Sequence, residues 1–392
     1  MKDSTSLASF AARVRRGFAL ASAGETAVPV TAARGALNFN QLALELFALQ
    51  FQHCAAYRRL CEARGITTES LKHWTQIPPV PTAAFKELEL TSLSRQERSG
   101  VFFSSGTSGQ QPSRHFHSAE SLALYEAALL PWFQRHLLPE LLVCPGAKSA
   151  PPAKTPQIVS LTPTRRDAPN SSLVHMFDTV AGEFGPGRSL FYGAVAQDGS
   201  WELKSDLVVD ALCDLSAAGQ AVLLLGTAFL FVHLLDALSA RGLRLRLPPS
   251  SRALETGGYK GRSRALPKGE LHSLISEWLG LSPACIVCEY GMSELSSQAY
   301  DRVAGGPMDA ADAAPSRVFR FAPWARTQVC SPEDGKEVAD GQTGLLRIFD
   351  LANVYSVMAI QTEDLAVRRG DGFELLGRAE LAEARGCSLM AS

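Results

Sequence analysis

Residues 221–242 read AVLLLGTAFLFVHLLDALSARG, and this stretch decides the fold class. Its first six residues form an apolar run that predicts a buried strand, and Thr227 is a suitable N-cap for the helix predicted after it. The same order recurs downstream, where strands are predicted at LRLRL (243–247) and CIVCEYG (285–291), on either side of a helix at GELHSLISEWLG (269–280). Alternation of short apolar strands with helices predicts βαβ units and mainly parallel sheets.

The first half of the chain continues this pattern. Residues 36–64 have helical periodicity, with Asn38 or Asn40 as possible N-caps, and residues 118–138 predict a second helix. PQIVSL (156–161) predicts a further buried strand. We therefore expect an α/β protein over most of its length.

The pattern changes to strands and turns from about residue 317. It ends in a hairpin-like stretch, AVRRGDGFELLG, with Asp371-Gly372 as the predicted turn. We predict one core over residues 1–377, in which residues 1–316 form α/β layers and residues 317–377 form a β-rich subdomain. Residues 378–392 form a short C-terminal tail that contains Cys387.

The composition excludes several classes of function. The 392 residues are 46% hydrophobic and 20% charged, which is typical of globular proteins with a large core. A net charge of −1 gives no reason to expect a nucleic-acid or membrane-surface partner, and no apolar run has the length of a membrane span. The eight cysteines are scattered, which favours reduced thiols in a cytoplasmic protein over a disulfide framework.

A glycine- and hydroxyl-rich loop lies in FFSSGTSGQQPSRHF (102–116). Backbone N–H groups at its glycines, together with the serine and threonine hydroxyls, can surround the oxygens of a phosphate. The loop is not a P-loop, because the spacing G-x-x-x-x-G-K-[ST] is absent. Considered alone, a loop of this composition is more often an ordinary loop than a binding site.

Three further stretches carry candidate binding residues. The paired glycines of ETGGYKGR (255–262) permit a flat ligand such as a purine to approach the backbone, and a simple glycine turn is the alternative. EYGMSE (289–294) follows a buried strand, at the end where open α/β sheets bind ligands. The alternative is a solvated turn with its tyrosine in the core. Asp364 and Arg378 could bind a ribose, or each could be an ordinary surface charge.

In order and rough spacing, these segments resemble the adenylate-forming superfamily of acyl-CoA synthetases, peptide-synthetase adenylation domains and luciferases. Within this superfamily the sequence is most similar to the acyl-protein synthetases of the LuxE type. The segments that carry this resemblance are FQHCAAYRRLC, IPPVPTAAFK, SSGTSGQQPS, SSLVHMF, TGGYKGR and RGCSL. The resemblance extends from about residue 36 to the end. It implies the large N-terminal domain of these enzymes, with stacked βαβ sheets and a β-rich subdomain, without their mobile C-terminal domain.

The resemblance also implies a reaction. Such proteins use ATP and Mg²⁺ to convert a fatty acid into an acyl-adenylate, and then transfer the acyl group to their own cysteine, here Cys387. The acyl group next passes to an acyl reductase of the LuxC type. Transfer to coenzyme A, a carrier protein or an amine is the alternative, in which Cys387 is dispensable. A third interpretation is a nucleotide-binding subunit without chemistry. Acyl chain length and oligomeric state do not follow from the sequence.

The resemblance assigns a role to individual residues. The hydroxyl-rich loop would hold the β- and γ-phosphates, through Ser104, Ser105, Gly106, Thr107, Ser108 and Gly109. Adenine and its surroundings would be bound by Gly257, Gly258, Tyr290 and Gly291. The remaining contacts would be Ser293 to the α-phosphate, Glu294 to Mg²⁺, and Asp364 with Arg378 to the ribose.

Three further residues are less directly implied. The loop lacks the proline-lysine pair usual in the superfamily, and Arg114 would replace its positive charge. Lys260 would replace the adenylation lysine of the absent C-terminal domain. His175 would border the acyl pocket, although a core histidine fits equally well. The spacing CIVC (285–288) resembles a metal site, but without a second pair it favours core packing.

Overall fold

The computed structural model describes residues 6–23, 38–104, 111–142, 155–185, 187, 190–259, 262–306 and 317–379. Its helices are α1 (Leu7–Ala23), α2 (Phe39–His53), α3 (Ala55–Glu62), α4 (Ala84–Glu87), α5 (Ala119–Leu137), α6 (Ser172–Phe184), α7 (Ser205–Ala217), α8 (Ala228–Ala240) and α9 (Lys268–Leu279). The first eight strands are β1 (Val80–Pro81), β2 (Gly100–Phe103), β3 (Arg114–His117), β4 (Gln157–Ser160), β5 (Leu190–Phe191), β6 (Gly193–Val195), β7 (Trp201–Leu203) and β8 (Val222–Thr227). The others are β9 (Arg252–Thr256), β10 (Ile286–Tyr290), β11 (Ala299–Tyr300), β12 (Val318–Phe321), β13 (Ala325–Cys330), β14 (Thr343–Asp350), β15 (Ala359–Arg369) and β16 (Gly372–Arg378).

A twelve-stranded sheet forms the centre of the described residues. Its strand order is β13-β14-β15-β16-β12-β11-β10-β9-β8-β4-β5, and β1 pairs with β15. The pairs among β4, β5, β8, β9 and β10 are parallel. From β10 through β11 and β12 to β16 the pairing is antiparallel. The predicted parallel α/β part and the predicted β-rich part therefore belong to one continuous sheet.

The parallel strands are covered on both faces, as their apolar sequences predict. All six residues of β8 are buried. Leu223 and Leu225 pack into the core that also contains residues of α5 and α6, whereas Val222 and Leu224 pack into the core formed with α7, α8 and α9. Successive side chains of a strand point to opposite faces, so a strand between two helical layers needs apolar residues at every position.

The predicted strand at 243–247 is wrong. The backbone N–H of Leu245 donates to the carbonyl of Trp278 at 2.8 Å, and that of Leu247 donates to the carbonyl of Leu279 at 3.0 Å. The segment thus bonds to the C-terminal end of α9 rather than to a strand. The strand beside β8 is β9, a few residues later. A segment in which apolar and charged residues alternate can bury its apolar side against the end of a helix as well as against a sheet.

The first predicted helical region differs in a smaller way from the sequence prediction. In the described part of the predicted helical region 36–64, which begins at residue 38, there are two helices, separated at Cys54, whose backbone is extended. Asn38 is confirmed as the N-cap of α2, since its side chain accepts from the N–H of Gln41 at 3.2 Å. The other predicted helices and strands before residue 300 lie within one or two residues of their predicted positions.

The last hairpin turns one residue earlier than predicted. Arg369 pairs with Gly372 across the two strands, so the turn residues are Gly370 and Asp371. Gly370 has a φ of +58°, a backbone conformation that glycine adopts without steric cost. Among the described helices, none combines the length and apolar character of a membrane-spanning segment.

Candidate active site

The ends of the hydroxyl-rich loop are held together by the hairpin of β2 and β3. Phe103 pairs with Arg114 in this hairpin. Beyond that pair, the hydroxyl of Ser104 accepts from the N–H of Ser113 at 2.9 Å, and the N–H of Ser104 donates to the carbonyl of Ser113 at 3.2 Å. The loop therefore begins and ends at a defined place. Ser105, Gly106, Thr107, Ser108 and Gly109 lie outside the described residues.

Glu294 lies directly against the returning end of this loop. Its Oε1 accepts from the hydroxyl of Ser113, and its Oε2 accepts from the hydroxyl of Ser293 at 3.0 Å. Nδ1 of His115 donates to the carbonyl of Ser293 at 2.9 Å. Burial lowers the pKa of His115 to about 4, so the ring is a neutral donor at this position. The residues after β10 are thereby attached to β3 by side chains of both segments.

Asp364 is the second carboxylate at this end of the sheet. Its Oδ2 accepts from the hydroxyl of Tyr290 at 2.7 Å, and Nε of Arg378 lies 3.9 Å from its Oδ1. Asp364 and Arg378 face each other in the register of β15 and β16. Burial raises the pKa of Asp364, and the hydrogen bond from Tyr290 offsets part of that rise. The predicted ribose pair is thus brought together, with Tyr290 as its third member.

The ring of Tyr290 belongs to the hydrophobic core. It meets Phe319, Phe321 and Phe373 edge-on, at centroid distances of 6.2, 6.2 and 5.2 Å, and only 7% of the residue is exposed. This arrangement matches the alternative that the sequence left open for the ring. Stacking of Tyr290 on a base stays a prediction, and its described contact with the candidate site is through the hydroxyl.

The predicted adenine-binding glycines lie at the ends of β9 and β10. Gly257 has a φ of +68°, which disfavours other residues, and Gly258 follows it. A Cβ on Gly291 would lie 2.3 Å from Oε1 of Glu289, so a larger residue there would require the Glu289 side chain to shift. Burial is the main cause that raises the pKa of Glu289 to about 7. Lys260 lies outside the described residues.

Glu289 also connects the two strand ends. The hydroxyl of Thr256, the last residue of β9, donates to Oε2 of Glu289 in β10. Glu289 and Thr256 are neighbours in the parallel register. The glycine turn after β9 and the segment after β10 are therefore held side by side at one edge of the sheet.

Arg114 and His175 make other contacts. A guanidinium nitrogen of Arg114 donates to the carbonyl of Lys86 at 3.3 Å, so its role toward phosphate stays a prediction. His175 is 1% exposed, with its ring 5.3 Å from Phe102 and 5.4 Å from Tyr125. Burial lowers the pKa of His175 to about 4, as expected of a neutral core histidine.

Sequence reasoning did not find Ser113 and His115, which join the loop to the residues after β10. Ser113 is one of several hydroxyls in the loop, and His115 lies between Arg114 and Phe116 in a short strand. Neither has a distinguishing local pattern. Their contacts cross 181 and 178 residues of sequence, so only the folded chain identifies them.

The family model of the acyl-protein synthetase LuxE matches residues 147–392, more than half of the chain. The protein belongs to the LuxE acyl-protein synthetase family. This confirms the expected family and its class of enzyme, a ligase. The long-chain-fatty-acid–luciferin-component ligase of Vibrio harveyi is 22% identical over 351 residues, which cover 86% of this chain and 82% of that protein. The protein of the same name from Photorhabdus luminescens is 33% identical over 69 residues, which cover 18% of this chain and 59% of that protein.

Solved structures confirm the fold class of this LuxE-family protein. A 2-hydroxyisobutyryl-CoA ligase in the postadenylation state, in complex with 2-HIB-AMP, superposes with a TM-score of 0.60 at 14% identity over 86% of this chain and 67% of that one. An open conformation of that ligase, with 2-HIB-AMP and CoA, gives a TM-score of 0.59 at 14% identity over 86% and 74%. At this level of identity the likeness establishes the adenylate-forming fold alone.

Proposed function

We propose that this protein uses ATP to activate a long-chain fatty acid as its acyl-adenylate. The acyl group then passes to a thiol, that of Cys387 in the same chain, and from there to an acyl reductase. The contact between Ser113 and Glu294 is the observation that carries the proposal, since it sets the loop beside a buried carboxylate at the end of β10. Family membership and the relatives' names support the fatty acid as substrate.

The described residues are compatible with a bound Mg²⁺–ATP. Mg²⁺ prefers one or two carboxylates together with phosphate oxygens and water. Glu294 supplies a carboxylate whose oxygens each accept one hydroxyl, which leaves lone pairs on both for a cation. When bound, the ion neutralises charge on the phosphates during the reaction. Asp364 is placed by Tyr290 so that its carboxylate can accept from the hydroxyls of a ribose.

The chemistry then needs little beyond placement and charge neutralisation. A carboxylate oxygen of the fatty acid attacks the α-phosphorus, its new bond replaces the bond to pyrophosphate, and pyrophosphate leaves. The thiolate of Cys387 next attacks the acyl carbon, and AMP leaves with the electrons of the broken C–O bond. Arg385 would favour the thiolate form of Cys387. Lys260 is proposed to stabilise the first transition state.

Intact-mass measurement tests the proposal directly. The full chain is incubated with ATP, Mg²⁺ and palmitic acid, as wild type, as Cys387→Ser and as Cys213→Ser. Cys213 on α7 is the matched control, because it is a partly accessible free thiol remote from the tail in sequence. We expect a hydroxylamine-labile acyl adduct in the wild type and in Cys213→Ser, and none in Cys387→Ser.

Other results of this experiment show which step of the proposal is wrong. Acyl-AMP without an adduct would mean that coenzyme A, a carrier protein or an amine is the acceptor. Neither acyl-AMP nor an adduct, for fatty acids of several lengths, would overturn the proposal and support a nucleotide-binding subunit. Lys260→Ala should lower acyl-AMP formation, and an unchanged rate would dismiss its role in adenylation.

A further inference from the structure

Three potential metal ligands meet between the sheet and helix α9. Glu255 in β9 and Cys288 in β10 are neighbours in the parallel register, and His272 on α9 lies over them. Sγ of Cys288 is 3.1 Å from Oε2 of Glu255 and 3.5 Å from Nε2 of His272. Nε2 of His272 is 3.3 Å from the same Oε2. All three residues are buried, and their ligand atoms lie within 4.8 Å of one another.

These distances are close to those along one face of a tetrahedral metal site, and only the sulfur–oxygen distance of 3.1 Å is shorter. Zinc binds sulfur at about 2.3 Å and nitrogen or oxygen at about 2.0–2.1 Å, so neighbouring ligand atoms of a tetrahedron lie roughly 3.3–3.6 Å apart. The donors, a thiolate, an imidazole and a carboxylate, are a set that suits a divalent first-row ion such as Zn²⁺ better than Mg²⁺ or Ca²⁺. One protein ligand comes from each of three packed elements.

Glu255 provides an independent indication. Its side chain is 0% exposed, yet its second oxygen, Oε1, has no hydrogen-bond partner among the described residues. An unpartnered oxygen of a buried carboxylate costs free energy. A metal ion beside this carboxylate would compensate that cost, by binding one oxygen or both.

Two cations now face the cluster. Nζ of Lys268, at the start of α9, is 3.3 Å from Oε2 of Glu255 and 3.6 Å from Sγ of Cys288. The Lys268 side chain is 40% exposed, so it can turn outward into solvent. Arg317 lies 3.7 Å from the same sulfur and is paired with Asp301, which keeps its charge balanced.

We propose that Glu255, His272 and Cys288 form a binding site for a Zn²⁺-type ion. On binding, the thiol of Cys288 loses its proton to solvent and the ring proton of His272 moves from Nε2 to Nδ1, so that the lone pair of Nε2 can bind the ion. Lys268 moves away. Water fills the fourth position. The ion would connect β9, β10 and α9 beneath the end of β9, which precedes Gly257, and the end of β10 at Tyr290. Cys285, the other cysteine of CIVC, is not a member of the cluster.

Cobalt substitution tests the site without reference to the adenylation reaction. The full chain is freed of metal with a chelator and titrated with Co²⁺. We expect one equivalent to bind with a thiolate-to-cobalt charge-transfer band whose intensity corresponds to a single sulfur, and Zn²⁺ to displace it. Glu294→Gln should leave the band unchanged, so this site can succeed or fail independently of the proposed function.

Variants locate the ion. Cys288→Ser should abolish the band, whereas Cys285→Ser, three residues earlier, and Cys387→Ser should retain it. His272→Gln should lower the affinity for Zn²⁺ by more than the roughly 10- to 100-fold that the loss of a second-shell partner causes. Absence of a stoichiometric band in the wild type overturns the proposal even if a variant fails to fold. A band of equal intensity in a folded Cys288→Ser protein overturns it as well.

Lys268→Ala separates the metal site from a purely ionic cluster. Removal of the ammonium takes away the cation that is ion-paired with Glu255, so the metal-free variant should unfold at a lower temperature than the wild type. If the site binds metal, Zn²⁺ binds this variant more tightly and restores its unfolding temperature. If Zn²⁺ restores nothing, Lys268 itself is the resident cation and the proposal is wrong.

Discussion

Replacement of Tyr290 by phenylalanine isolates one hydroxyl of the candidate site. The ring packs among Phe319, Phe321 and Phe373, and the substitution leaves that packing in place. What disappears is the donor to Oδ2 of Asp364 at 2.7 Å. Asp364 then keeps its place in β15 but loses the contact that orients its carboxylate toward the ribose of the proposed ATP.

The structure sets the size of the effect. Hydrogen bonds to charged groups contribute about 1.5–3 kcal/mol, and the side chain of Asp364 is only 16% exposed, so solvent replaces the hydroxyl incompletely. The hydrogen bond exists before ATP binds. Its removal therefore weakens ATP binding only by the share of its free energy that keeps the Asp364 carboxylate oriented toward the ribose. We therefore expect a loss of about 1–2 kcal/mol, a 5- to 30-fold rise in the KM for ATP.

The assay is ATP–pyrophosphate exchange with ATP and with 2′,3′-dideoxy-ATP. If Asp364 accepts from the ribose hydroxyls, the wild type prefers ATP, and both Tyr290→Phe and Asp364→Asn reduce that preference. Tyr300→Phe is the matched control, because the hydroxyl of this buried tyrosine has no hydrogen-bond partner among the described residues. It should leave both KM values unchanged.

The preference for ATP over the dideoxy nucleotide decides the matter. If Tyr290→Phe and Asp364→Asn discriminate between the two nucleotides as well as the wild type does, Asp364 does not bind the ribose. An equal rise in KM for both nucleotides would point to a general disturbance of the site. A measurement of thermal unfolding for each variant detects such a disturbance.

Three other substitutions test the contact between Ser113 and Glu294, the burial of β8 and the lowered pKa of His136. Ser113→Ala removes the hydroxyl that Oε1 of Glu294 accepts, and we expect roughly tenfold more Mg²⁺ to be needed for half-maximal exchange, with an unchanged KM for the fatty acid. Leu224→Ala opens a cavity in fully buried β8 and should lower the free energy of urea unfolding by about 2–5 kcal/mol. Burial lowers the pKa of His136 to about 4, below its usual 6.5, so the folded state binds a proton there less readily than the unfolded state. The stability contributed by the neutral His136 is complete above pH 6.5 and is lost as the pH falls toward 4. The free energy of unfolding of His136→Gln, compared with that of the wild type, should therefore rise by about 2 kcal/mol when the pH is lowered from 7.5 to 5.

For each of these three substitutions, one result would contradict the prediction. An unchanged Mg²⁺ requirement in Ser113→Ala would separate the loop from Glu294 in function. A loss below about 1 kcal/mol in Leu224→Ala would contradict the two-sided burial of β8. Parallel pH profiles for the wild type and His136→Gln would mean that the imidazole titrates normally in the folded protein.

The sequence by itself determined the βαβ order, the buried strands β4, β8 and β10, and several helix ends. These features depend on neighbours in sequence: an apolar run predicts a strand buried on both faces, and Asn38 caps a helix through a residue three positions away. The candidate segments and their order were also visible in sequence. LRLRL was misassigned because its alternation describes burial on one side, and the end of α9 provides that burial as well as a sheet would.

The contacts that make a site were decided only by the tertiary structure. Ser113 meets Glu294 across 181 residues, and Tyr290 meets Asp364 across 74. The order of strands in the sheet determines which ends become neighbours, and no local pattern encodes that order. The cluster of Glu255, His272 and Cys288 arises in the same way, since the parallel register aligns two of its members and the packing of α9 adds the third. Long-range pairing of strands is therefore the physical step that converts separate sequence motifs into one arrangement of functional groups.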